Sequence, residues 1–161
     1  MSDADAAATG ESLLEAGKTH RIRACRKGDL NGVLEIENET FPDPYDEEVF
    51  SMLLRSEPDG FLVAEGDGEV LGYVAVSANY EVIFSLAVSR HHRGEGLGRA
   101  LMDAALVYLR PRTESVSLQV RVSNSAAIRL YRRFGFKEEG RVSRYYPDGE
   151  DALVMTLDLR A

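Results

Sequence analysis

Gly94, Gly96 and Gly98 recur at alternate positions in Arg93-Gly94-Glu95-Gly96-Leu97-Gly98, between a strand-like and a helix-like segment. Glycines so spaced leave the backbone bare, so a ligand can touch amide N–H groups directly. In the first turn of a helix four N–H groups lack partners, and the helix dipole is positive there. Such a turn is an anion site, best suited to a pyrophosphate, and Arg93 and Arg99 can add charge-assisted bonds. No Lys-Ser/Thr follows the glycines, which excludes a P-loop. The third glycine comes two positions after the second rather than three, which excludes a Rossmann fingerprint. The plainer reading is a glycine-rich turn joining a strand to a helix.

A second group of chemical residues lies in Asn124-Ser125-Ala126-Ala127-Ile128-Arg129-Leu130-Tyr131. Asn124 can cap a helix and also reach a ligand. Ala126 and Ala127 keep the early helix thin. Tyr131 is seven residues on, so it projects from nearly the same helical side, and its hydroxyl could serve as a general acid. A core aromatic with a wet tip is the alternative. His91-His92 beside Arg93 has no carboxylate at ligand spacing and reads as a solvated loop rather than a metal site. The one cysteine, Cys25, excludes an internal disulfide and reads as packing.

The elements that must position these groups follow from periodicity and punctuation. Residues 19–26 alternate as a first strand. Residues 29–39 carry Leu30, Val33, Leu34 and Ile36 at helical spacing, and Pro42 and Pro44 end that helix. Asp46 can cap a second helix with Val49, Phe50, Leu53 and Leu54 on its apolar face. Strands follow at 61–65, 69–78 and 81–88, the first two joined by Gly66-Asp67-Gly68. A helix covers 96–110, a strand 115–122, a helix 125–134 ended by Gly135, and strands 136–142 and 152–159. Seven strands and four helices in this order predict an α/β (α+β) domain over 18–161: a mixed sheet with helices on both faces. Residues 1–17, rich in Ala, Asp, Ser and Gly, are expected to form a disordered tail.

Composition excludes several functions. The 161 residues suit one domain, and 44% are hydrophobic. A net charge of −8 argues against nucleic acid as a direct partner. No apolar run approaches the roughly 18 residues of a membrane helix, and the N-terminus shows no secretion signal, so a cytoplasmic location is expected. Sixteen arginines stand against three lysines, Lys18, Lys27 and Lys137. An acidic, lysine-poor surface would suit a high-salt cytoplasm, where screening weakens self-repulsion.

With these motifs set out, the chain resembles the GNAT acetyltransferases. Leu86-Ala87-Val88-Ser89-Arg90-His91-His92-Arg93-Gly94-Glu95-Gly96-Leu97-Gly98 is similar to their acetyl-CoA motif: Arg or Gln, two residues, Gly, one residue, Gly or Ala. The resemblance implies the GNAT fold, with a mostly antiparallel seven-stranded sheet, and acetyl-CoA as donor. It implies that the backbone of Leu86, Ala87 and Val88 holds the pantetheine arm and polarises the thioester carbonyl. It further implies that amides from Arg93 to Arg99 (Gly94, Glu95, Gly96, Leu97 and Gly98 included) hold the pyrophosphate, that Asn124 and Ala127 line the thioester end, and that Tyr131 is the general acid. No metal is expected, because a thioester is already activated.

Two further stretches resemble a branch of that family. Phe41-Pro42-Asp43-Pro44-Tyr45 and Arg144-Tyr145-Tyr146-Pro147-Asp148-Gly149-Glu150-Asp151-Ala152 are similar to loops of the N-terminal acetyltransferases, RimI-type enzymes and archaeal relatives of the NatA catalytic subunit. The resemblance implies that Phe41, Pro42, Tyr45, Tyr145 and Tyr146 grip the start of a polypeptide, a ribosomal protein with N-terminal alanine being one candidate. It runs over residues 19–160. One position departs from the pattern: where RimI-type enzymes read Leu-Glu-Val-Arg, with the Glu as general base, this chain reads Leu118-Gln119-Val120-Arg121. Gln119 can orient a water or the amine but cannot take a proton. Asp43 and Glu81 are candidate relays, or else solvated carboxylates. A polypeptide α-amine, with a pKa of about 7.7–8.0, tolerates a weak base; a lysine side chain would cost about 3.5 kcal/mol more to deprotonate. Two alternatives stay open: a small-molecule amine acetyltransferase and a non-catalytic acyl-CoA-binding subunit. The sequence fixes no oligomeric state.

Overall fold

The computed structural model describes residues 11–15 and 18–160. Its elements are β1 (Glu11–Glu15), β2 (Lys18–Ala24), α1 (Leu30–Thr40), α2 (Glu47–Ser56), β3 (Phe61–Gly66), β4 (Glu69–Ser77), β5 (Val82–Val88), α3 (Leu97–Leu109), β6 (Ser115–Arg121), α4 (Ser125–Arg133), β7 (Lys137–Val142) and β8 (Ala152–Asp158). All seven expected strands and four helices are present. The sheet has an eighth strand besides, because Glu11–Glu15 pairs with β2 at the edge, within the segment expected to be a tail. The rest of that segment, 1–10 and 16–17, lies outside the described residues.

The strand order is β1-β2-β3-β4-β5-β6-β8-β7, and every pair is antiparallel except β5 with β6. Alternation along β3 shows why the sheet is covered on both sides. Phe61 and Val63 face α1 and α2, with Val33, Phe50 and Leu53. Leu62 and Ala64 face α3, with Leu101, Met102 and Leu109. A strand buried on both faces needs apolar residues at every position, which Phe61-Leu62-Val63-Ala64 supplies. Asp46 caps α2 as expected, its Oδ1 accepting from the Val49 N–H at 3.1 Å. Cys25 lies just beyond β2, and burial pushes its thiol up to about 12, which fits packing rather than nucleophilic chemistry. No helix among the described residues is long and apolar enough to cross a membrane.

Candidate active site

The parallel pair creates the opening in the sheet. β5 and β6 are in register only at Val82 and Ser117, reinforced by the Ser117 N–H donating to the Glu81 carbonyl at 2.9 Å. β6 pairs along its whole length with β8, and β5 with β4. Each strand is thus held by its outer neighbour, and the two part company towards Leu86–Val88 and Gln119–Arg121. Strand edges that would otherwise pair are left to a ligand at the wide end.

The glycine loop lies beyond that end. Gly94 and Gly96 have φ of +81° and +84°, a region that costs other residues about 1–2 kcal/mol. Gly96 is the N-cap of α3, and no side chain caps the helix. The cap residue, being glycine, thus brings no side chain of its own to the first-turn amides from Leu97 to Arg99. The Leu97 side chain is core, so this residue offers only its backbone. Arg99 is exposed in the first turn. Arg93 is arranged differently from the sequence expectation: its Nε donates to the Val88 carbonyl at 3.1 Å and its Nη2 to Thr40 Oγ1 at 3.2 Å. It braces the loop against β5 and α1 instead of pointing along the amides. Glu95 also turns back, accepting from His92 Nδ1 at 3.0 Å, while His91 is exposed.

α4 flanks the same end. A Cβ on Gly98 would meet Leu130 Cδ2 at 3.5 Å, so α4 packs against the first turn of α3. Asn124 caps α4 through Oδ1, which accepts from the Ala127 N–H at 3.2 Å. Ala127 is half-buried against the core. Tyr131 is only 8% exposed and packs on Phe136. Burial raises its pKa, and the nearby Tyr146 phenol raises it further. A phenol so placed stays protonated across the physiological range and can only donate.

The expected acceptor side comprises two loops. Tyr45, between α1 and α2, is 40% exposed and stands edge-on to Phe50. Tyr145, between β7 and β8, is 45% exposed and stands edge-on to Tyr146 at 5.0 Å. Burial, and after it the nearby Tyr145, raises the pKa of Tyr45; burial likewise pushes Tyr146 up to about 12, with smaller contributions from Tyr145 and Tyr45. Phe41 is packed on the α1–α2 core and Pro42 is exposed. Gln119 is exposed on β6, and no hydrogen bond of its amide occurs among the described residues.

The two candidate relays separate. Asp43 reaches the acceptor side, but its Oδ1 accepts from Arg121 Nη2 at 2.6 Å. Glu81 does not reach it. It sits at the closed end of the β5–β6 pair, accepting from Thr113 Oγ1 at 3.0 Å. Five residues of strand separate it from Leu86, about 16 Å. Glu81 thus stands apart from the wide end of the β5–β6 pair, a separation set by the direction of β5, which periodicity alone does not reveal.

Two groups lie outside the sequence reading. Glu37, a buried carboxylate on α1, accepts from the Tyr73 hydroxyl through Oε1 and from Ser85 Oγ at 3.0 Å. Its Oε2 accepts from the Tyr45 N–H at 3.0 Å. Arg121 gathers Asp43, Asp148 and Glu150. A charged residue at an apolar-stripe position of α1 was the available signal for Glu37. Arg121 had none beyond its place in the Leu-Gln-Val-Arg stretch.

Comparison with known proteins agrees with this geometry. A model of the acetyltransferase (GNAT) family matches residues 30–136. An N-alpha-acetyltransferase of Sulfurisphaera tokodaii is 36% identical over 89% of this chain and 95% of its own. A putative ribosomal protein bS18-alanine N-acetyltransferase of Bacillus subtilis is 35% identical over 83% of this chain and 92% of its own. The crystal structure of Ard1 from Thermoplasma volcanium superposes with a TM-score of 0.82 at 31% identity, covering 86% of this chain and 97% of that one.

Proposed function

The chain belongs to the acetyltransferase (GNAT) family, and from that premise we propose that it transfers an acetyl group from acetyl-CoA to the α-amine of a polypeptide N-terminus in the cytoplasm. The observation that carries this reading is Tyr131, a buried phenol within electrostatic reach of Tyr146, on the helix whose Leu130 packs against the first turn of α3. The names of the Sulfurisphaera and Bacillus relatives support the choice of acceptor.

The residues fit the donor. The left-handed backbone at Gly94 and Gly96 and the uncapped α3 turn suit a diphosphate, and the parted β5 edge suits an amide-bearing arm. Acetyl-CoA supplies an acyl group already activated as a thioester. N–H groups of Leu86 to Val88 polarise its carbonyl. Tyr131 holds at its hydroxyl the proton that the departing thiolate takes. Gln119, exposed on the acceptor side, orients the incoming amine or a water.

The charge arrangement favours an α-amine over lysine. The mouth carboxylates Asp43, Asp148 and Glu150 are all bonded to Arg121, and Gln119 replaces the base. An acceptor must therefore bring much of its own neutrality. On the order of a tenth of an α-amine is neutral at pH 7, against less than about a thousandth of a lysine. The test is an acetylation assay on peptides starting with Ala, Ser or Met, with an N-terminally blocked lysine peptide and spermidine as competitors. The reading requires acetylation of free α-amines and little of the other two. Preference for spermidine would replace it with the small-molecule alternative.

A further inference from the structure

We propose that Arg121 is the positioning residue that clasps the two acceptor loops together, a role that rests on the peptide reading above. It is the last residue of β6, two after Gln119, so both project from one face of the sheet. Its Nη2 donates to Asp43 of the α1–α2 loop at 2.6 Å. Its Nη1 donates to Asp148 Oδ2 at 2.8 Å and Glu150 Oε1 at 2.9 Å, both in the β7–β8 loop. Its Cζ also lies 4.0 Å over the Tyr146 ring. A planar fork with separate donors can face two loops and stack on a ring at once, which an ammonium cannot.

The contacts are placed where they would set the width of the peptide slot. Asp43 is two residues before Tyr45, and Asp148 is two after Tyr146. The second loop is held further, since Glu150 Oε2 accepts from the Ser123 N–H at 2.9 Å and Asp148 Oδ1 from the Glu150 N–H at 3.1 Å. Without the guanidinium, three carboxylates from two loops would face one another unneutralised, and like charges would push the loops apart. The side-chain network stops short of the donor loop, whose described bonds involve none of Arg121, Asp148 or Glu150; the link to α4 is main chain, the Asn124 N–H donating to the Arg121 carbonyl at 2.9 Å, a bond that does not use the guanidinium.

Two measurements on the full chain test the clasp. In Arg121→Gln the KM for an Ala-starting peptide should rise about tenfold or more, as misplaced gripping groups would produce. kcat should change less, and the Kd for acetyl-CoA should stay within about twofold of wild type, as expected for a site outside that network. Arg121→Lys should recover part of the loss, since it keeps the charge and loses the fork. Independently of activity, amide hydrogen exchange of Arg121→Gln should show residues 41–46 and 143–151 losing protection together, with residues 90–99 unchanged. Asp148→Asn, a change at an exposed side chain, should loosen 143–151 alone and raise the peptide KM less. Wild-type protection of both loops in Arg121→Gln, or an unchanged peptide KM, would overturn the clasp. If the wild type acetylates no peptide, the peptide reading fails, while the exchange result still decides whether Arg121 ties the loops.

Discussion

The donor end and the acceptor end of this site are built from different materials. The donor end is backbone: two left-handed glycines, an uncapped helix turn and a strand edge freed by the parting of β5 and β6. The acceptor end is side chains: tyrosines on two loops, tied down by Arg121 and by Glu37. Backbone amides have fixed charge and position, so the donor end can recognise one invariant ligand with little help from sequence context. Loops held by ion pairs can vary in spacing and composition, which suits an end that must choose among polypeptides.

The sharpest way to separate the ends is at Tyr131, the proposed general acid. Tyr131→Phe removes one hydroxyl from a side chain packed on Phe136 and leaves the packing in place. General acids contribute about 10²–10⁴ in rate. Turnover should fall by about a hundredfold or more, with acetyl-CoA binding by calorimetry close to wild type. A parallel loss of binding would make Tyr131 a part of the donor end instead.

The next effect comes from the absent base. With Gln119 in the base position and Asp43 engaged by Arg121, kcat/KM should follow the ionisation of the peptide. Between pH 6 and pH 8 the neutral fraction of an α-amine rises roughly 30–50-fold. Initial rates with two peptides of different amine pKa should give midpoints that differ accordingly. A common midpoint for both would point to a group on the enzyme. No fall from loss of the acid is expected up to pH 9, because burial raises the pKa of Tyr131.

The same division explains what the sequence disclosed. The left-handed glycines of the loop and the Asn124 cap lie within short segments whose spacing is their geometry, so their local form was readable from the sequence. Helix and strand positions were readable from apolar period. The acceptor end depends on pairs far apart in the chain: Arg121 with Asp43, 78 residues away, and Glu37 with Ser85, 48 away. No local pattern reports such pairs. The direction of Arg93 was hidden for a related reason. Its charge suggests a phosphate ligand, but its direction is set by Val88 and Thr40, which only the folded backbone brings near. The place of Glu81 was hidden as well, because the sequence does not say at which end of β5 the sheet opens.

A third effect isolates the donor end. Gly96→Ala places a Cβ on a residue with φ of +84° at the cap of α3. A cost of about 1–2 kcal/mol in the binding-competent loop corresponds to roughly 5–30-fold. Titration calorimetry should show weaker acetyl-CoA binding by that order, with the peptide KM at saturating donor little changed. An equal change in both would mean that the two ends are mechanically coupled, through Arg93 and α1.

The smallest effect concerns acid. Asp148 has a lowered pKa, first from the Glu150 N–H and then from Arg121; Glu150 has one too, first from its bond with Ser123 and then from Arg121. A carboxylate with a depressed pKa in the folded state stabilises that state above its unfolded value, here about 3.9 and 4.3. That contribution is lost as pH falls through the lowered folded value. The β7–β8 loop should therefore keep its place from neutral pH down to about pH 5 and loosen only below about pH 4. Asp148 is exposed and Glu150 half-buried within the loop, so the change should be confined to the loop rather than unfold the domain. Exchange protection of residues 143–151, compared with 97–109 in α3 at pH 7, 5 and 3.5, measures this directly. Loosening already at pH 6, well above the range of both carboxylates, would show that the loop is held by something other than Asp148 and Glu150.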